Sequence, residues 1–176
     1  MGPLCRISEE ASDDDHIPVI SPESAGASGP IPVFRQFDEQ NEELDYITRC
    51  INKWLADGQA AGEIAILVPT NKIAQTISQR LHQAGITNLC MDSKENKMAY
   101  SPTQELVSVL SLHSSKGLEF ETVILAGIDR IHYVAKDLAD QVRLMYVGMT
   151  RAKSQLLITS SKSTVFTDRF VQLVAP

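Results

Sequence analysis

Cysteine is scarce: Cys5, Cys50 and Cys90 are the only three in 176 residues. They show no CxxC or other paired spacing, so neither a disulfide framework nor a zinc site is expected, and the thiols read as buried or idle. The four histidines, His16, His82, His113 and His132, show neither an HExxH motif nor clustered spacing, which argues against a metal site built by this chain. His82 reads as a surface residue. No stretch reaches the roughly 18–20 apolar residues that cross a bilayer. The opening MGPLCRISEE has no hydrophobic signal region, and a cytoplasmic protein with no membrane partner is expected. No GxSxG elbow pairs a nucleophile with a base, so hydrolysis independent of a nucleotide has no support. The absence with the widest consequence is the dipeptide Gly-Lys, without which there is no GxxxxGK[ST] loop to wrap phosphates. VILAGID, ending in Asp129, imitates a strand carrying a magnesium-holding acid, but without a phosphate loop it reads as a core strand followed by a surface acid.

A basic excess is also missing. The net charge of −6 argues against a strongly basic nucleic-acid clamp, but the charge is unevenly placed. Residues 1–30 hold Glu9, Glu10, Asp13, Asp14, Asp15 and Glu23 against Arg6 alone, leaving 15 basic and 16 acidic residues for the remainder. That front section also contains SPESAGASGP, a Ser/Gly/Pro mixture with little to bury, and is expected to be an acidic, flexible linker. Residues 31–176 are expected to form one domain, and an apolar share of 43% supplies its core.

Within that domain the apolar pattern alternates between two kinds. PIPVFRQF, the continuous run EIAILVP, ITNLCM, ELVSVLSLH, TVILAGI and QLLITS read as strands, several of them apolar enough to be buried on both faces. Glu42 to Leu55, with Leu44, Ile47, Ile51 and Leu55 at helical spacing, and NKIAQTISQRLHQAG read as helices. So does AKDLADQVRLMYVGMTRAK, which puts Leu138, Val142, Met145, Tyr146 and Met149 on one face. Residues 92–104 are polar and read as a surface loop. Strands alternating with helices imply an α/β fold with a mostly parallel sheet covered by helices on both faces, because parallel strands need crossover connections.

Two segments carry candidate chemistry. In SLHSSKGLEFETVIL, a strand ends near His113 and a small polar loop follows, at the strand end where parallel sheets place ligands. Ser114, Ser115 and nearby amides can hold phosphate oxygens, Lys116 adds charge, and Glu119 can accept from a sugar hydroxyl; an exposed turn is the plainer alternative. In RLMYVGMTRAKSQLLIT, Arg143, Arg151 and Lys153 lie around an otherwise apolar helix. Such arginines are either solvated and paired or aimed at a phosphoryl group on a neighbouring domain.

Together these segments resemble motifs V and VI of the UvrD/Rep-like superfamily 1 helicases. HSSKGLEF resembles the family's HSAKGLEF, RLMYVGMTRAK resembles its RLLYVALTRAK, and the order and separation also fit; EIAILVPTNKIAQ is more distantly similar to its motif IV or IVa. The resemblance covers roughly residues 31–160. It implies a second RecA-like domain that lacks its own phosphate loop, closes one side of an ATP cleft and carries part of a single-stranded DNA track. The N-terminal RecA-like helicase domain is then the implied partner and holds most of the ATP and magnesium contacts. By this resemblance Arg151 matches the motif VI arginine that contacts the γ-phosphate, Glu119 matches the acid near the ribose, and Gly117 allows close approach. His113, Ser114 and Lys116 match the motif V link between nucleotide state and the DNA backbone, and Thr70 and Asn71 match polar contacts to the strand. Three departures stand out: Pro69 replaces the arginine of the family's YRTN, Val142 replaces the first of its Arg-Arg pair, and no YRS motif precedes the domain. Only a short connection separates motif IVa from motif V, which resembles the compact HelD-like or RecD-like layout and, if HelD-like, implies RNA polymerase as a partner. A non-hydrolysing nucleic-acid- or polymerase-binding module is the alternative.

Overall fold

In the computed structural model of the chain, residues 29–101, 103–164 and 167–170 are described. Residues 1–28 of the expected acidic linker, with Cys5 and His16, fall outside them. The elements run β1 (Val33–Gln36), α1 (Gln40–Ala56), β2 (Ile64–Val68), α2 (Asn71–Gln83), β3 (Asn88–Cys90), α3 (Lys94–Met98), β4 (Val107–Ser111), β5 (Phe120–Leu125), α4 (Leu138–Met149) and β6 (Ala152–Ser160). Short 3-10 turns occupy Ala61–Glu63, Leu112–Ser115 and Ile128–Tyr133. The strands form one six-stranded sheet in the order β1-β6-β5-β2-β4-β3, and every pairing is parallel.

Both faces of the sheet are covered, which explains why the central strands read as unbroken apolar runs. Side chains alternate across a strand. Ile64, Ile66 and Val68 of β2 meet α1 and α2 through Ile47, Ile51, Ile73, Ile77 and Leu81. Ala65 and Leu67 join the opposite core with Leu112, Leu125 and Met145. The chain therefore leaves β2 toward one face and β4 toward the other. These neighbours, with Val68 beside Ser111, make a crevice of the type in which open parallel sheets bind ligands.

Four local expectations are corrected. Residues 94–98 form a short helix inside the predicted loop, because the Ser93 side chain accepts from Asn96 N at 3.1 Å as an N-cap. Helix α4 ends at Met149 and not at Lys153: Phe120 N donates to Arg151 O at 2.9 Å, so the chain has already entered the sheet, and Lys153 lies on β6. The apolar stripe of α4 is only partly inward, since Leu138, Val142 and Tyr146 are exposed while Met145 is buried. Asp129 is a buried acid, 4% exposed, accepting from Ser161 N at 3.2 Å. No helix among the described residues is long and apolar enough to cross a membrane.

Candidate functional site

The parallel register sorts the candidate residues onto two edges of the sheet. Thr70 and Asn71 follow the end of β2, and His113 and Ser114 follow the end of β4, so these four share the carboxyl edge at the β2–β4 crevice. Glu119 and Arg151 immediately precede β5 and β6, whose first residues Phe120 and Ala152 are paired, and lie at the amino edge. Five-residue strands rising about 3.3 Å per residue set the edges roughly 15 Å apart. The connection from Leu112 to Glu119 runs from one edge to the other across β2. It is shorter than the dozen or more residues usual for a parallel crossover.

Packing holds that connection in place. Leu112 is 1% exposed, and it lies against α4 where Gly148 allows contact: a Cβ on Gly148 would come within 2.5 Å of Leu112 Cδ2 and 2.8 Å of Leu125 Cδ2. Ser115 is buried, and its Oγ donates to Leu112 O at 2.7 Å. It therefore fixes the turn and does not face a ligand, contrary to the reading that let it hold phosphate. Ser114 Oγ lies 2.8 Å from Ser111 Oγ. His113, Lys116 and Glu119 are exposed. Gly117 adopts φ +83° and a Cβ there would meet nothing within 4 Å, so inside this domain glycine is required by backbone conformation. His113 also shares a cavity of about 290 Å³ with Asp140, Arg143 and Leu144. Arg143 is paired there to Asp140 at 2.9 Å.

At the carboxyl edge Thr70 and Asn71 already have local partners. Thr70 Oγ1 caps α2 by accepting from Ile73 N at 3.3 Å, and Asn71 Nδ2 donates to Asp92 O at 3.1 Å. At the amino edge Arg151 is half-buried. Its Nε donates to Val147 O at 3.0 Å, Nη1 to Leu118 O at 3.2 Å and Nη2 to Thr150 Oγ1 at 3.1 Å. The Arg151 side chain is thus hydrogen-bonded to the Leu118 carbonyl, near the end of the connection that runs from Leu112 to Glu119.

Sequence reasoning missed a second polar assembly at the carboxyl edge. Glu43 of α1 is 1% exposed and accepts from Gly127 N at 2.8 Å, Thr159 Oγ1 at 2.7 Å and Arg130 Nη2 at 3.1 Å. Burial is the main cause raising its pKa, and the Thr159, Gly127 and Arg130 contacts pull the other way. The available signal was its spacing, because Glu43, Ile47 and Ile51 lie on one helical stripe. Cys50 and Cys90 are half-buried free thiols, and burial, with Asp92 second, pushes Cys90 up to about 11. Among the described residues no group of three or more His, Cys, Asp or Glu side chains is placed to hold a metal ion.

An all-parallel six-stranded α/β sheet covered by helices on both faces is a RecA-like fold. The UvrD-like helicase C-terminal domain profile matches residues 6–98 and 93–163, and the chain belongs to that family. It is 36% identical over 87 residues to DNA helicase II of Haemophilus influenzae, covering 46% of this chain and 12% of that protein. It is 29% identical over 104 residues to ATP-dependent DNA helicase PcrA of Bacillus subtilis, covering 53% and 14% respectively. The chain thus spans a small part of the length of these curated relatives. Among solved structures, the C-terminal domain of a possible DNA helicase from Lactobacillus plantarum WCFS1 matches with TM-score 0.59 and 19% identity, covering 77% of this chain and 76% of that one; this likeness concerns the fold.

Proposed function

We propose that the chain is the second motor domain of an ATP-dependent DNA helicase or translocase, completing the ATP site from its amino edge and gripping single-stranded DNA at its carboxyl edge. The observation that carries this reading is the separation of the candidate residues onto two edges joined by one pinned connection. Glu119 and Arg151 immediately precede β5 and β6 at the amino edge, while Thr70 and Asn71 follow β2 and His113 follows β4 at the carboxyl edge. When bound to the neighbouring RecA-like domain, ATP with magnesium supplies the phosphoryl group that is transferred to water. On this side Arg151 places a guanidinium where charge develops during that transfer, and Glu119 accepts from the ribose. Lys116 and His113 meet the backbone phosphates of the strand, with Thr70 and Asn71 beside them.

Relatives named as DNA helicases, one of them ATP-dependent, support this reading, and the absent phosphate loop explains why the other motor domain is needed. The two-edge arrangement is tested in the protein carrying both motor domains. Lys116→Ala and His113→Ala are expected to weaken binding of a fluorescent oligo-dT several-fold while single-turnover hydrolysis at saturating DNA stays within about threefold. Arg151→Ala is expected to do the reverse. If each variant shifts both readouts together, the division of labour between the edges is wrong.

A further inference from the structure

We propose that Thr150 and the Gly117–Leu118 turn form a seat that pre-orients the Arg151 guanidinium, so that two of its N–H groups are presented in a fixed plane to a phosphoryl group brought by the partner domain. The proposal rests on the reading of Arg151 as the finger and adds which residues aim it.

A guanidinium carries five N–H groups in a rigid fork. Three are engaged here, one on each nitrogen, by Val147 O, Leu118 O and Thr150 Oγ1. Three acceptors reached from three nitrogens fix the plane of the group as well as its position. Among the described residues, one N–H on Nη1 and one on Nη2 are left over, and such a pair suits two oxygens of one phosphoryl group.

Each acceptor is itself held. Val147 O is among the last four carbonyls of α4, which have no donor within the helix, and it also accepts from Thr150 Oγ1 at 3.0 Å. The single hydroxyl proton of Thr150 is thereby committed to Val147, which turns an oxygen lone pair toward Arg151. The Leu118 carbonyl is directed by Gly117 at φ +83°, a conformation that a side chain would strain, and Leu118 N closes the turn on Ser115 O at 3.0 Å. The negative end of the α4 dipole favours a cation at this place. A plain helix cap would be satisfied by the Nε bond; the bonds to Leu118 and Thr150 add orientation without lengthening the helix. An arginine already held this way has less freedom left to lose when the phosphoryl group arrives.

Thr150 is on this account a positioning residue, and its effect is first read on the chain alone, without nucleotide. In ¹⁵N spectra of arginine side chains, the Arg151 Nε–H should exchange with water at least about tenfold more slowly than that of Arg143, whose side chain is 77% exposed. Thr150→Val should remove most of that protection and Thr150→Ser restore it, with amide spectra showing that all variants are folded; Gly117→Ala should act like Thr150→Val. In the protein with both motor domains, Thr150→Val should lower kcat for DNA-stimulated hydrolysis about tenfold with KM for ATP within about twofold, and Thr150→Ser should recover it. Exchange at Arg151 as fast as at Arg143, or insensitive to Thr150→Val, overturns the seat. Protection that responds as expected while kcat does not move also overturns it, leaving only a cap. If Arg151→Ala lowers kcat and Thr150→Val does not, the seat alone is wrong; if Arg151→Ala leaves kcat unchanged, the finger reading fails and takes the seat with it.

Discussion

Glu43→Ala tests the polar assembly that ties α1 to the sheet. The Glu43 side chain is 1% exposed and its partner Arg130 15% exposed, so truncation strands a mostly buried guanidinium together with Gly127 N and Thr159 Oγ1. Among the described residues, Arg130 then keeps Asp129 as its one charged partner, at 3.6 Å, and its Nε has no hydrogen bond. Removing one member of a buried pair costs about 3–5 kcal/mol. At about 2–4 °C per kcal/mol for a domain of this size, Tm should fall by roughly 6–20 °C. Because burial raises the Glu43 pKa, its contribution is fully present below the ordinary glutamate range and declines as pH rises through the raised value. The Glu43→Ala penalty should therefore be larger at about pH 4 than at about pH 7. Glu43→Met with Arg130→Met removes both charges, so the double variant should cost at least about 1 kcal/mol less than the two single changes added together. Urea unfolding followed by circular dichroism gives the four free energies of the cycle. A Glu43→Ala cost below about 1 kcal/mol, or strict additivity, refutes the reasoning.

On the proposed reading Arg151 can only complete a site whose phosphate loop another domain supplies, so the purified chain alone should hydrolyse no ATP; turnover stimulated by single strands is the contrary result. Binding of that chain to oligo-dT should be weak, with a shallow salt slope of roughly −0.7 per cationic contact; tight binding insensitive to salt would point to base stacking instead. Cys90, pushed up by burial to about 11 against about 8.5 for a free thiol, should carry roughly three-hundredfold less thiolate at neutral pH. Iodoacetamide followed by peptide mapping should find it alkylated far more slowly in the native chain than in urea, and equal rates would contradict the burial. Thr70→Ala removes the α2 cap and should cost about 1 kcal/mol in the same urea assay, while a cost near zero would mean that the cap adds nothing.

The fold was legible where one periodicity dominated. EIAILVP has no polar face and became β2, buried on both sides, and NKIAQTISQRLHQAG became α2 behind the cap of Thr70. The small polar loop expected after the strand ending near His113 likewise lies between β4 and β5. What could not be read was set by tertiary pairing. The end of α4 was placed too late because Met149, Thr150 and Arg151 continue a helical pattern, and the sheet bond from Phe120 N to Arg151 O outweighs it. Asp129 was taken for a surface acid because the Ser160 and Ser161 groups that hold it come from β6 and just beyond, some thirty residues on. Ser115 looked like a ligand donor beside Ser114, but the 3-10 turn rotates it inward. Nor does spacing reveal that the motif V segment divides its residues between two edges, since that follows from β4 and β5 both lying parallel to β2.

The most direct test of the central claim is single-turnover ATP hydrolysis by the protein bearing both motor domains, comparing the parent with Arg151→Ala and Arg151→Lys at saturating single-stranded DNA. A guanidinium acting on charge that develops during transfer predicts a loss of about 10³–10⁵ in rate for Arg151→Ala. Lysine should recover only part of it, because it lacks the planar fork. Hydrolysis by Arg151→Ala within a few-fold of the parent would mean that this arginine only caps α4 and that the chain does not complete the ATP site through it.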